Sequence, residues 1–422
     1  MRKVLQSDLN SKNKMMAFNT MVIPVVTYSF NIIDWSMQEI KRMDVKVRKL
    51  LTINRMQHPK ADVDRIYLPR AEGGRGMIQL ENAFKTSTIG LEVYLKDTKE
   101  TLLKCVYQQE KIKKLHSIKH LSDKFKEEIN FDQSKAITPE PNLPSASKAK
   151  KAKVKAKKLL KEKLKERWEK KPLHGQFVKR LNAPNVSAHL STQWLNSAGL
   201  KGETEGLILA AQDQSLATNN YQKMVSKTKN DDKCRVCKSK PETIDHIVAG
   251  CSLLAPTEYL KRHNEIGKYL HWNVCRTNNI KVTEKWYNHE PETVTENDRC
   301  TILWDFGINT DRRIPANRPD IIIKDKMEKK CYLIDMSVPG DSNVIAKEYE
   351  KRSKYKDLEI EIQRMWKMKT TVLPIVVGAL GTMSKDFDKH LKELPTDVSS
   401  KQIQKIALLG TAHILRKIIS IK

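Results

Sequence analysis

The sequence predicts a multidomain chain of α and α/β class, helical in its first half, with a small zinc module and an α/β domain in its second. Three observations predict it. Residues 37–51 carry apolar side chains at helical spacing. Cys234, Cys237, His246 and Cys251 recur at metal-ligand spacing. After residue 294 the texture changes to short apolar runs separated by polar turns, the pattern of strands around a helix. A chain of 422 residues is long enough for two or three domains.

Charge narrows the partners. Lys and Arg number 78 against 50 Asp and Glu, a formal net charge of +28. Such a surplus calls for a polyanion, either nucleic acid or an anionic membrane surface. No apolar run reaches membrane-spanning length, and the longest, 21–30 and 371–380, each contain a proline. The start, Met-Arg-Lys-Val, has no apolar signal core behind it. The seven cysteines are an odd count; three sit in the metal motif, and Cys105, Cys275, Cys300 and Cys331 are scattered. That argues for a reducing, intracellular compartment and against a disulfide framework. Nucleic acid therefore ranks above membrane.

Residues 1–95 read as a helical globular region. Asp34-Trp35-Ser36 can cap a helix over 37–51, with Ile40, Met43, Val47, Leu50 and Leu51 on one stripe. Further on, 67–76 place three glycines around Arg75, a tight loop where backbone could approach phosphate, with Arg70 and Arg75 as candidate contacts. A plain turn explains the same glycines, and taken alone is the better reading. Residues 96–171 read as polar helix, then a linker marked by Pro139, Pro141 and Pro144, then a lysine run. From 148 to 171 there are twelve lysines and one arginine against three glutamates, and the alternation has no apolar face to bury. The expectation is a solvated helix or a disordered basic arm. Lys150, Lys151, Lys157 and Lys158 are candidate phosphate contacts of the kind that add affinity without sequence choice. The run could equally serve as a nuclear import signal or a solvated linker. Residues 172–230 read as a helical middle region, with a helix over 207–217.

The 231–275 module holds Cys-Arg-Val-Cys, eight residues, His246, four residues, and Cys251. Thiolates two residues apart can grip one ion from a tight turn. A His and a third thiolate about one helical turn apart can close the tetrahedron, a soft donor set suited to structural Zn²⁺.

In the 294–395 region, strands are expected over 301–308, 319–323, 331–338 and 371–378, with a helix over 344–369 before the last. A further helix closes the chain over 396–422. Fourteen residues separate Asp320 from Asp335. If the two strands form a hairpin with its midpoint between Met327 and Glu328, the aspartates sit opposite each other on one face. Carboxylates that close repel unless a divalent cation lies between them, and hard oxygen ligands suit Mg²⁺ or Mn²⁺. Lys347, Lys351 and Lys354 then follow at helical spacing, where a lysine could orient a water or offset transition-state charge.

These segments together resemble the C-terminal part of the polyprotein of non-long-terminal-repeat retrotransposons that carry a restriction-like endonuclease. Residues 1–95, with Asp34-Trp35, 58–64 and 67–76, resemble the reverse transcriptase thumb. Leu173-His174-Gly175-Gln176-Phe177 and 207–215 resemble the family's middle region. The Cys-Cys-His-Cys motif, Arg318-Pro319-Asp320, Asp335 and Lys351-Arg352-Ser353-Lys354-Tyr355 resemble its zinc motif and its PD-(D/E)xK-like endonuclease. The resemblance implies nicking of target DNA through a metal-activated water, with Asp320 and Asp335 as metal ligands. It also implies target DNA and element RNA as partners and a nuclear location, with Arg318 a further nucleic-acid contact. Position 337 is Ser, where the wider group often carries its catalytic lysine; the resemblance transfers that role to Lys351 or Lys354, with Lys351 favoured. No aromatic-x-Asp-Asp motif occurs, so the polymerase palm is absent and no reverse transcription is expected from this chain alone. Met1 is then expected to lie inside a longer ancestral frame. The competing expectations are a decayed or repurposed binder that does not cut, and a membrane-surface protein.

Overall fold

The computed structural model describes residues 1–113, 117–132 and 143–421. Pro139 and Pro141 of the expected linker lie outside the described residues. The chain is mostly helical with one small mixed sheet, and it divides into two compact units. One comprises Met1–Gly175 with Leu200–Gly206; the other comprises Gln176–Gly199 with Leu207–Lys422.

Among the described residues, the regular elements of the first unit are helices. The Met37–Ile53 helix starts at Ser36, whose hydroxyl accepts from the Glu39 amide while the Glu39 carboxylate accepts from the Ser36 amide. This reciprocal box satisfies two otherwise orphaned donors. Ile40 and Leu51 are buried beneath it, and Met43, Val47 and Leu50 are half-buried. Buried Asp44 accepts from the amides of Leu80 and Glu81 at 3.0 and 3.1 Å, and so caps the Leu80–Asp97 helix.

The lysine run departs from expectation. It forms the Ser145–Glu169 helix, which buries Ala149, Ala152, Ala156, Leu160, Leu164 and Trp168. Spacings of three and four put these residues on one stripe. Alanine makes the stripe narrow enough for a close helix–helix approach: the stem of Lys153 lies over Gly90, where an added Cβ would meet Lys153 Cγ at 2.5 Å. The run is therefore the expected helix and not a disordered arm, but it is not solvated all round, because its alanines are the buried face. The same helix ends on the 58–64 segment. Arg167 pairs with Asp64, and Lys171 with Asp62 and Asp64. Burial alone would raise the Asp62 carboxyl, but His174 and Lys171 hold it down at about 2.

The second unit is built on a five-stranded sheet in sequence order, β1 (Val294–Glu296), β2 (Cys300–Trp304), β3 (Ile321–Asp325), β4 (Lys330–Ser337) and β5 (Lys369–Val376). Neighbours are antiparallel except β4 and β5, which are parallel. A parallel pair needs a long crossover. Here it is the expected 344–369 helix, broken at Tyr355 into Val344–Lys354 and Lys356–Trp366. The sheet is buried on both faces. Ile302, Ile321, Ile323, Ile334 and Met336 pack with Ile266 and Leu270 of the Leu260–Thr277 helix and with the C-terminal Ser400–Ile419 helix. Ile322, Leu333 and Val372 pack on the other face with Tyr355, Leu358 and Ile362. The expected 207–217 helix runs instead over Gly202–Gln212.

The alanine stripe yields a stability prediction. Ala156→Glu should cost about 3–5 kcal/mol by forcing an unpaired charge into the helix interface. Exposed Lys157→Gln should change stability by less than about 0.5 kcal/mol. Chemical denaturation of the two variants checks the difference; equal stabilities would contradict the packing.

Candidate functional sites

The four expected zinc ligands converge. One donor atom from each of Cys234, Cys237, His246 and Cys251 lies within 4.8 Å of the other three. Cys237 Sγ is 3.4 Å from His246 Nε2, as two ligands of one tetrahedral ion would be. The first two thiols sit on a tight knuckle. The Cys234 amide donates to Lys240 O at 2.8 Å, and the Lys238 amide to Cys234 O at 2.9 Å, with Lys238 in the left-handed region at φ 57°. The Val236 amide points at Cys234 Sγ, 3.4 Å away. His246–Gly250 forms one wide helical turn that ends at Cys251, and Tyr259 Oη holds that turn by accepting from the Cys251 amide and donating to Ile247 O. This cluster can hold a metal such as zinc.

Arg235, between the two knuckle cysteines, locks the module to the rest of its unit. Its guanidinium pairs with fully buried Glu242 at 2.7 Å. It also donates to Ile419 O at 3.0 Å and Ile421 O at 2.6 Å, at the end of the C-terminal helix. A cation is favoured there, where helix carbonyls lack partners. Burial would raise the Glu242 carboxyl, yet Arg235 holds it below its ordinary value.

The second constellation is at the end of the β3–β4 hairpin. Ile321 pairs with Ile334 and Ile322 with Leu333, the register that the sequence spacing predicts. Extended by one residue, it places Asp320 opposite Asp335. Strand alternation gives Asp335 the face of Leu333, toward the Tyr355 side of the sheet. Asp335 is buried; its Oδ1 accepts from Tyr355 Oη at 2.9 Å, and its Oδ2 forms an ion pair with Lys351. Asp320 Oδ2 accepts from the Met336 amide at 2.5 Å and lies 3.0 Å from His263 Nε2. Oδ1 of Asp320 takes no hydrogen bond from the described residues.

The two carboxyls are driven apart. Burial and the neighbouring Asp320 charge raise Asp335, against Lys351 and Tyr355. Burial would also raise Asp320, but His263 and the Met336 amide outweigh it and lower it. His263 shows the reciprocal effect: burial opposes its charge, and Asp320 raises it. Like charges this close favour a shared proton or a cation.

The remaining expected residues are placed as follows. Lys354 Nζ donates to Tyr355 Oη at 2.8 Å, one bond removed from Asp335. Lys347 instead pairs with Glu350 at 2.7 Å and is not aimed at the aspartates. Arg318 is exposed and holds Asp305 at 2.8 Å. Lys150, Lys151, Lys157 and Lys158 lie on the exposed side of their helix. Arg70 and Arg75 correct the expectation of a phosphate loop. Both are buried against Glu205, at 2.8 and 3.1 Å, and Arg75 also donates to Ser11 Oγ. Gly74 lies so close to Leu68 that an added Cβ would meet its carbonyl oxygen at 2.1 Å. The glycines make a packed turn, and its arginines neutralise a buried carboxylate.

Sequence reasoning missed His263 and the role of Tyr355. His263 lies 57 residues before Asp320, on a helix whose pattern signals only a buried stripe. Tyr355 closes the Lys351-Arg352-Ser353-Lys354-Tyr355 run, but only the helix break there shows why it turns inward. Compared with known proteins, the chain matches no family model and no curated protein.

The knuckle geometry predicts that Cys237→Ser lowers bound metal by about one zinc equivalent per chain, measured by mass spectrometry of purified protein. Unchanged zinc content would contradict the site.

Proposed function

We propose that the second unit is a metal-dependent DNA endonuclease, in a chain that grips nucleic acid through its lysine surplus. The observation that carries this reading is the pairing of Asp320 with Asp335 across one hairpin, with Lys351 on the second carboxylate. The donor set suits a hard divalent cation: two carboxylates, one with an uncommitted oxygen. Mg²⁺ or Mn²⁺ held by Asp320 and Asp335 would supply a polarised phosphoryl oxygen and an acidified water.

The chain's own residues do the rest. Lys351 and Tyr355 offset part of the rise that burial and the neighbouring Asp320 charge impose on Asp335. Tyr355 fixes the orientation of that carboxylate, and its hydroxyl oxygen also lies 3.0 Å from Arg318 O, at the helix break beside the start of β3. His263 and the Met336 amide hold the Asp320 carboxyl below its ordinary value, both through Oδ2, and leave Oδ1 without a hydrogen bond from the described residues. Lys351 is also the cation nearest the carboxylate pair, placed to offset charge that develops on a phosphate. Lys150, Lys151, Lys157 and Lys158 add sequence-independent affinity through counterion release. Arg318 stands beside the hairpin end as a further phosphate contact.

This reading agrees with the resemblance to the C-terminal part of a non-long-terminal-repeat retrotransposon polyprotein, which brings target DNA, element RNA and a nuclear location with it as parts of the proposal. In that setting the nick would expose a 3′-hydroxyl for a polymerase palm that this chain lacks. A second reading is a decayed or repurposed DNA- or RNA-binding protein. It is favoured by one observation: Lys351 and His263 already engage one oxygen of each carboxylate.

Nicking of supercoiled plasmid with Mg²⁺ or Mn²⁺ separates the two. The endonuclease reading predicts wild-type nicking, a loss on the order of 10²-fold or more in Asp335→Ala and in Lys351→Met, and unchanged nicking in Lys347→Met. Strong salt-dependent binding with no nicking supports the binder. Nicking that survives Asp335→Ala overturns the proposed site.

A further inference from the structure

A second set of metal-ligating side chains lies outside both sites. His271 and Cys275 are four residues apart on the Leu260–Thr277 helix and therefore share a face. His289 follows the short turn Trp286–Asn288 and comes back onto that face. His271 Nδ1 is 2.8 Å from His289 Nε2 and 3.5 Å from Cys275 Sγ. One donor atom from each residue lies within 4.8 Å of the other two, and all three residues are buried. His271 Nε2 is buried with no hydrogen-bond partner, so the polar contacts of that ring are all on the side facing Cys275 and His289.

We infer that His271, Cys275 and His289 form a second zinc site, distinct from the Cys234 cluster. Two imidazoles and a thiolate are a donor set of intermediate softness that suits Zn²⁺. Three protein ligands leave a fourth position to a solvent molecule. Binding requires the Cys275 proton to leave to solvent as the S–Zn bond forms, and both imidazoles to be neutral with a lone pair turned inward.

The placement gives the site a purpose. His263, Gly267, His271 and Cys275 succeed one another at intervals of four, along one face of one helix. His263 meets Asp320. Gly267 lies against the sheet, where an added Cβ would be 2.4 Å from Trp304 Cη2 and 2.7 Å from Met336 Cε. Trp304 also meets the His271 ring edge-on, with centroids 6.1 Å apart. A metal on His271, Cys275 and His289 would staple the segment that leads to β1 onto this helix. It would thereby fix how far along the sheet the helix sits, and with it the reach of His263. The inference needs no nuclease activity, since it concerns metal content alone.

The test counts zinc in the full chain by native mass spectrometry and elemental analysis. Two zinc ions per wild-type chain are expected. His289→Ala should retain one, and a Cys234→Ser/Cys237→Ser variant should also retain one, which disappears when His289→Ala is added. If His289→Ala fails to fold, the knuckle variant still decides. One zinc per wild-type chain, with none in the knuckle variant, would overturn the inference and leave His271 and His289 as a hydrogen-bonded core pair.

Discussion

The second unit depends on a hairpin register that sets two carboxylates face to face at the end of β3 and β4. Ile321 opposite Ile334 fixes Asp320 opposite Asp335. A slip of one residue would send Asp335 to the other face of the sheet, into apolar core. Two charges so placed need compensation, because burial weakens hydration and strengthens repulsion. Three side chains supply it: His263 from the helix on one face of the sheet, and Lys351 and Tyr355 from the broken crossover on the other. The parallel β4–β5 pair matters for that reason. It requires a crossover, and the crossover brings the lysine.

The surrounding structure holds the helix that carries His263. Beside His263, Arg262 donates to Thr411 Oγ1 at 2.9 Å and to Val338 O at 3.1 Å. Gly410 lets the C-terminal helix approach so closely that an added Cβ would meet Arg262 Cγ at 2.6 Å. The end of that C-terminal helix is gripped by Arg235 of the zinc knuckle. The Cys234 cluster thus connects to the carboxylate pair through packed side chains. It reads as a brace for this unit more than as a free finger.

What could be read from the sequence followed from short-range rules. The Ser36 cap, the Cys-Cys-His-Cys convergence and the Asp320–Asp335 register all rest on spacings along one stretch of chain. The polar turn between two apolar runs marked the hairpin midpoint, and strand periodicity did the rest. The lysine helix was misread because alanine carries little hydropathic signal, while Ala149, Ala152 and Ala156 suffice for a close helix interface. Arg70 and Arg75 were misread because their partner, Glu205, lies 135 and 130 residues away. His263 stayed hidden for the same reason. A charge at long range in sequence leaves no periodic trace.

If Asp320 and Asp335 together hold a divalent cation, crystals of the full chain soaked in Mn²⁺ should show an anomalous Mn²⁺ peak at the two carboxylates in the wild type and none in Asp335→Asn. A wild-type site without Mn²⁺, with Lys351 still closed on Asp335 and His263 on Asp320, would rule such a cation site out.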